Sequence, residues 1–388
     1  MIVTLKDITA KITKGTTPTS IGCKFEKSGI NFIKSESLVD GKTIDKSKFA
    51  FISERTHERL KRSQIEENDI LFSMAGMFLG KTGIATAEVV PANTNQAVAI
   101  IRVDDTKANY EYVYYYLNQK SVIHTINTTS AQSAQPNINL KQIGEIKINL
   151  PDRKKQDQIV SLLSAIDLKI SNNVEINDNL EQQAAALFSS LYNRSNTEVR
   201  YTDLIQILGG GTPKTGETAY WNGNIAFFTP KDVGTPYTFI TEKTITEEGL
   251  SHCNSRLYPV NTVFVTARGT VGKVGLSGVP MAMNQSCYAL VGKETHQLLV
   301  YFYTLKAVDR LKHKASGAVF DAITTRDFDS EQIMKLSDDA AKAFLCVAEP
   351  MFQEILNNSI ENLRLSTLRD FLLPKLMSGE IDVSSVQL

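Results

Sequence analysis

The segment Gly76-Met77-Phe78-Leu79-Gly80-Lys81-Thr82 has the outline of a phosphate-cradling loop, two glycines followed by a lysine and a hydroxyl. A nucleotide-binding loop of that kind needs four residues between its glycines, and this one has three. A second version, Gly269-Thr270-Val271-Gly272-Lys273-Val274, lacks the hydroxyl that would hold magnesium. Nucleotide hydrolysis is therefore not expected. The histidines His57, His124, His252, His296 and His313 have no metal-ligand spacing. Glu145-Ile146-Lys147 has the E-x-K form of a nuclease strand, but it lacks a suitably placed upstream acid and reads as a solvated strand edge. No Asn-Pro-Pro or Asp-Pro-Pro followed by an aromatic residue, the loop of amino-methyltransferases, occurs in the chain. The chain is not expected to be an enzyme.

Other residues suit the binding of an extended anion. Lys34 and Ser35, and later Thr229 and Lys231, follow matching strand signals. Lys81, Arg268 and Lys273 lie in glycine-rich turns where a main chain can approach a phosphate closely. Gln96 and Gln285 each follow an asparagine and are of a type that pairs bidentately with adenine in the major groove. Lysine plus arginine and aspartate plus glutamate balance at 42 each, yet the balance is uneven along the chain. Residues 1–150 carry +4 and 198–337 carry +1, against −1 for 151–197 and −4 for 338–388. That asymmetry favours the first and third segments as the anion-facing parts.

These residues recur because the chain repeats itself. Lys14-Gly15-Thr16-Thr17-Pro18 and Ile30-Asn31-Phe32-Ile33 return as Gly209-Gly210-Gly211-Thr212-Pro213 and Ile225-Ala226-Phe227-Phe228, 195 residues later. Leu71-Phe72-Ser73-Met74-Ala75-Gly76 is echoed by Val263-Phe264-Val265-Thr266-Ala267-Arg268 at an offset of 192. Asn95-Gln96 recurs as Asn284-Gln285 at 189. A shrinking offset is the mark of a duplication with small deletions. Short β-branched and aromatic runs at 70–73, 97–103, 262–266 and 287–291 read as strands. Helices are expected around 111–119 and 297–306, so each copy is a mixed domain of about 140 residues.

Each copy is followed by a long helical segment. Between 155 and 191 there is no Gly or Pro, and Ile159, Leu163, Ile166, Ile170, Asn173, Asn177, Leu180, Ala184, Leu187 and Leu191 step by fours and threes in a heptad seam. At 1.5 Å per residue, such a helix is about 60 Å long. Leu345, Ala348, Phe352, Leu356, Ile360 and Leu363 form a second stripe, extended by Phe371, Leu372 and Leu373 before Pro374, with a kink or restart expected at Pro350. Aligning Asn179-Leu180 with Asn362-Leu363 sets the helices in register at an offset of 183. The simplest arrangement pairs them antiparallel, with an approximate two-fold axis. Asn173 and Asn177 then either fix the register from within the seam or face water.

The remaining composition bounds the class. The chain has 388 residues, 42% of them hydrophobic, with a single Trp, which excludes disordered and collagen-like proteins. Cys23, Cys253, Cys287 and Cys346 are scattered without a C-x-x-C pair, so reduced thiols and a cytoplasmic location are expected. Neither a signal peptide nor a membrane span is expected.

In this order, several motifs resemble the specificity subunits of type I restriction-modification systems. They are the G-x-T-P openings, Phe227-Phe228-Thr229-Pro230-Lys231-Asp232-Val233, Ala267-Arg268-Gly269-Thr270-Val271-Gly272-Lys273, Gln135-Pro136-Asn137-Ile138-Asn139-Leu140, and Leu373-Pro374-Lys375-Leu376-Met377-Ser378-Gly379-Glu380-Ile381. The resemblance implies an α+β fold with two pseudo-symmetric target recognition domains, 1–150 and 198–337, joined by two long antiparallel helical segments, 151–197 and 338–388, as a coiled-coil spacer. It also implies double-stranded DNA as ligand, and methyltransferase and restriction subunits as partners. The dyad suggests two methyltransferase subunits per chain. No cofactor is expected on this chain, and S-adenosylmethionine would belong to those partners. The target would be asymmetric and bipartite with a fixed gap. A coiled-coil scaffold without DNA specificity is the competing expectation.

Overall fold

The computed structural model describes residues 1–39, 41–130, 137–234, 236–314 and 322–383, with the side chains of Thr129 and Ser130 left aside. Gln135 and Pro136 of the motif quoted above lie outside the described residues. The chain divides into two units, Met1–Leu168 with Leu365–Leu388, and Lys169–Arg364.

Unit 1 holds two four-stranded sheets. One orders its strands Thr9–Lys14, Val98–Val103, Ile70–Ser73 and Thr82–Ile84, all antiparallel neighbours. The other orders Ala50–Ile52, Ile30–Ile33, Ala92–Thr94 and Gln64–Ile65, with a parallel pair at its centre in which Phe32 faces Asn93. Ile70, Phe72, Ala99 and Ile101 are buried on one face against the aromatic helix Tyr110–Leu117, whose Tyr112 and Val113 are fully enclosed. Leu71, Val98 and Ile100 turn to the opposite face, where Ile33, Leu38 and Ile44 cover them. Strands buried on both faces have no polar alternation, and these read as continuous apolar runs. Asn109 begins the helix by accepting main-chain bonds from Glu111 and Tyr112.

Unit 2 repeats this plan. Ile205–Gly209, Cys287–Gly292, Val263–Thr266 and Val274–Ser277 stand in the same order, extended by the short strand Tyr237–Thr238. Trp221–Phe228 pairs parallel with Met281–Met283, as Ile30–Ile33 does with Ala92–Thr94. The helix Gln297–Lys314 covers the sheet and is two turns longer than the expected 297–306.

Pairing register corrects the sequence alignment in one place. Ile70 faces Ile101 and Ile84, and Val263 faces Leu290 and Leu276. Ile70 therefore corresponds to Val263 at an offset of 193, and Ala75, not Gly76, corresponds to Arg268. The bridges Ala75 to Asn137 and Arg268 to Ala322 agree. The offset of 192 resumes after the turn, so unit 1 has one extra residue between Gly76 and Gly80 relative to Gly269 and Gly272.

The long helices are Arg153–Arg194 and Asp338–Ser378, 42 and 41 residues. In unit 1, Ile159 and Leu163 pack with Leu373, Leu376 and Met377, and Asp167 accepts from Arg369 Nη1 at 3.0 Å. In unit 2, Lys169 pairs with Glu361, and Phe188 stacks on Phe302 at 5.1 Å and meets Phe344 edge-on. Both sets run antiparallel. Ile159, Leu163, Ile166, Asn173, Asn177, Ala184 and Leu356 are buried, while Ile170, Leu180, Ile360 and Leu363 are half-buried. Past Ala184 the seam leaves the predicted positions, because Phe188 and Tyr192 are buried where Leu187 and Leu191 were expected. A straight helix drifts from a 3.5-residue repeat, and the stripe follows i, i+4 steps where it meets the globular core. Phe344 and Ile355 are likewise fully buried, whereas Phe371 is 58% exposed. The second helix runs unbroken through Pro350 and Pro374, so of the kink or restart expected at Pro350 the restart does not occur. Ala348 and Phe352, buried on either side of Pro350, hold the flanking turns to the core and offset the missing main-chain bond. No described helix is long and apolar enough to cross a membrane.

Asn173 and Asn177 lie inside the seam. Asn173 Nδ2 donates to Asn362 Oδ1 at 2.9 Å and to Glu361 Oε2 at 2.7 Å, and Asn358 Nδ2 donates to Asn177 Oδ1 at 2.9 Å. Asn177 Nδ2 reaches Ser359 Oγ at 3.3 Å. Asn173 corresponds to Asn358 and Asn177 to Asn362 at an offset of 185, which replaces the 183 read from the sequence. The four side chains thus form a local two-fold arrangement.

Candidate nucleic-acid interface

In both units the predicted residues gather where strand ends meet. The first strand of the parallel pair ends at Ile33 or Phe228, whose main-chain oxygens accept from Thr94 Oγ1 at 2.8 Å and from the Asn284 amide at 3.0 Å. The central hairpin strand ends beside the same turn, with Met74 N donating to Ala97 O and Ala267 N to Ser286 O, each at 2.8 Å. Gln96 is thereby placed near Ala75 in unit 1, with Lys34 directly after the neighbouring strand end, and Lys231 and Gln285 lie near Arg268 in unit 2. A groove in unit 1 is lined by Lys14, Ala75, Gln96, Asn137, Asn139 and Lys141, among others.

The G-x-T-P segment forms the floor of each site. The Thr17 hydroxyl donates to Gln96 Oε1, and the Thr212 hydroxyl donates to Gln285 Oε1. Asn95 Oδ1 and Asn284 Oδ1 accept from the amides of Ala97 and Ser286, each at 3.0 Å, and so fix the turn that carries the glutamine. Glycine is obligatory beneath it. A Cβ on Gly15 would lie 1.9 Å from Thr94 O, and one on Gly210 would lie 2.2 Å from Asn284 O. Thr17 and Thr212 were not assigned a role from the sequence. The G-x-T-P motif marks them, but their partners are 79 and 73 residues away.

The cations differ in their surroundings. Lys34 is half-buried, 3.6 Å from Glu36 and 5.6 Å above the Phe25 ring, and Ser35 begins the 3-10 turn Ser35–Ser37 that follows it. Lys231 is exposed and 3.5 Å from Glu242. Lys81 closes the hairpin turn in unit 1, where its main-chain oxygen accepts from Ser73 at 2.8 Å. Arg268 and Lys273 are exposed, and among the described residues neither has an ion-pair partner. The Arg268 loop leans on the Lys231 loop through Thr270 Oγ1, which donates to Pro230 O at 3.2 Å. A Cβ on Gly272 would lie 3.3 Å from Lys312 Nζ, which brings a further exposed cation to this turn. Its counterpart in unit 1 is Ile123, beside Gly80. Among the described residues no group of His, Cys, Asp and Glu side chains forms a metal site.

Two equivalent scaffolds therefore present different surface chemistry. The family model of the type I restriction modification DNA specificity domain matches residues 1–182 and again 193–335. The chain belongs to this family. The specificity subunit of the type I restriction enzyme HindI of Haemophilus influenzae is 23% identical to this specificity-domain chain over 355 residues, covering 70% of this chain and 77% of that one. The specificity subunit of EcoR124I/EcoR124II of Escherichia coli is 27% identical over 234 residues, covering 55% and 54%. The crystal structure of a type I restriction-modification S subunit from M. genitalium covers 97% of this chain and 95% of its own at a TM-score of 0.58 and 15% identity, a likeness of fold.

Proposed function

We propose that this chain is the DNA-reading subunit of a type I restriction-modification complex, directing partner subunits to an asymmetric bipartite target. The observation that carries the proposal is the duplicated specificity-domain match, with one scaffold bearing Lys34, Ser35, Lys81 and Gln96 and the other Lys231, Arg268, Lys273 and Gln285. Different side chains on equivalent frames read different half-sites. Arg268 and Lys273 hold phosphates, a role suited to exposed cations beside positive-φ glycines. Gln96 and Gln285 use their carbonyls on threonine, so the amide nitrogen of each is the group offered to DNA.

In this reading the gap between the half-sites is set by the long helices, which at about 60 Å each are of a length to bridge more than one 34 Å turn of duplex. Methyl transfer from S-adenosylmethionine belongs to two partner methyltransferase subunits, with restriction subunits joining for cleavage, all in the cytoplasm. The test is binding of the assembled methyltransferase complex to target and random duplexes as salt rises. A reader loses affinity steeply with salt and keeps a tighter subset of sequences. Salt-independent binding that treats every duplex alike would leave the scaffold function instead.

A further inference from the structure

The two units provide an internal comparison. Features common to both cannot distinguish their half-sites, whereas a difference at equivalent positions can. The Thr–Gln clasp, the asparagine turn and the crowded glycine are common to both. The hairpin turn is not. In unit 1 it runs Gly76-Met77-Phe78-Leu79-Gly80, in unit 2 Gly269-Thr270-Val271-Gly272, and all four glycines have φ between +70° and +84°. Leu79 and Val271 occupy equivalent inward positions against their cores. Thr270 at the shorter tip bonds back to Pro230. The extra residue of unit 1 falls at Met77-Phe78, and Met77 is 88% exposed, the highest value for a large hydrophobic side chain among the described residues.

We infer that Met77 is a specificity-determining residue of the first half-site, making an apolar contact with a base. This rests on the DNA-reading function proposed above. The turn carrying it springs from Ala75, which lines the groove shared by Gln96, Lys14 and Lys141, and it ends at Lys81. The tip is thus attached to the surface assigned to DNA. A 3-10 turn, Gly76–Phe78, closed by Leu79 N donating to Gly76 O at 3.0 Å, gives the tip a defined shape. Methionine is unbranched and polarisable, suited to lying along a thymine methyl or a base face. Unit 2 has Thr270 at this tip, with Val271 packed against the core, and brings Arg268 and Lys312 to the same turn instead, so the contact belongs to one half-site only.

The experiment uses the assembled methyltransferase complex, a duplex carrying the target mapped by methylation, and a random duplex of equal length. Met77→Ala is expected to weaken target binding about tenfold, near the low end of the cost of one lost base contact. Random-duplex binding and its salt slope should not change, and Met77→Leu should retain affinity within about threefold. Replacing first-half thymines with uracil one at a time identifies a methyl contact, through a position that matters for wild type and not for Met77→Ala. 2-Aminopurine at the same half-site reports a ring-face contact by a fluorescence change that needs Met77. Equal weakening on both duplexes, no weakening at all, or silence in both base-analogue arms overturns the inference. Wild-type complex that binds target and random duplexes alike overturns the DNA-reading function itself, a distinguishable result. Thermal melting of both variants, expected to match wild type because Met77 is exposed, separates these outcomes from unfolding.

Discussion

Removing Asn177 alone should cost more than removing Asn177 and Asn358 together. Asn358 is 6% exposed, and its amide donates to Asn177 Oδ1 at 2.9 Å. In Asn177→Leu that donor stays buried and loses its acceptor, a penalty of about 1–3 kcal/mol. The Ser359 hydroxyl, which accepts from Asn177 at 3.3 Å, already donates to Ile355 O at 2.6 Å and stays satisfied. In Asn177→Leu/Asn358→Leu both partners become apolar, and such replacements of buried polar pairs are close to neutral or stabilising. The double variant is therefore expected within about 1 kcal/mol of wild type, giving a coupling energy in the range of about 0.5–3 kcal/mol for residues in contact. Urea denaturation followed by circular dichroism on wild type, both single variants and the double variant measures all four corners. Additive losses, with the double variant as unstable as the sum of the singles, would refute the reasoning. Neutral single variants would refute it equally, since they would mean that these amides are hydrated.

Two further outcomes follow from groups placed by the fold. Burial, only partly offset by the Tyr301 hydroxyl at 2.9 Å and reinforced by Asp178, holds the Glu181 carboxyl above its ordinary pKa. A raised folded pKa means that stability is lost as pH rises through it, so Glu181→Gln should be more stable than wild type at neutral pH. The advantage should shrink as pH falls through the carboxylate range, and denaturation curves across that range that stay parallel would contradict it. Gly210→Ala puts a Cβ 2.2 Å from a main-chain oxygen, so the G-x-T-P segment must shift, with a loss of about 1–3 kcal/mol typical of overpacking. A melting temperature equal to wild type would show that the loop yields freely.

Much of this architecture was legible because it is written in local periodicity. The strand Ile70–Ser73 coincides with the β-branched run read from the sequence, and the long helices coincide with the heptad stripes. What the sequence obscured depends on distant partners. The shared Ala75 and Ala267 pulled the alignment one residue out of register, and only the pairing of Ile70 with Ile101 and Val263 with Leu290 corrects it. Phe188 displaces Leu187 from the seam because Phe302 and Phe344, far along the chain, supply the aromatic surface that receives it. Gln96 and Gln285 are of a type that pairs bidentately with adenine; the G-x-T-P motif marks Thr17 and Thr212, but not that each donates to a glutamine carbonyl 79 or 73 residues away. Lys34 and Lys231, read as loop cations suited to an anion, have Glu36 and Glu242 beside them, neighbours that the strand signals do not announce. Pro350 breaks a helix in isolation, and the packing of Ala348 and Phe352 overrides that tendency.

The unequal hairpins have a consequence for how such a protein changes over generations. Left-handed glycines at both ends insulate each tip from the ladder below, so a codon gained or lost between them alters the exposed surface without moving a single strand partner. Under the role proposed for Met77, target preference changes by swapping four or five residues, while the clasp and the buried sheet beneath are inherited intact.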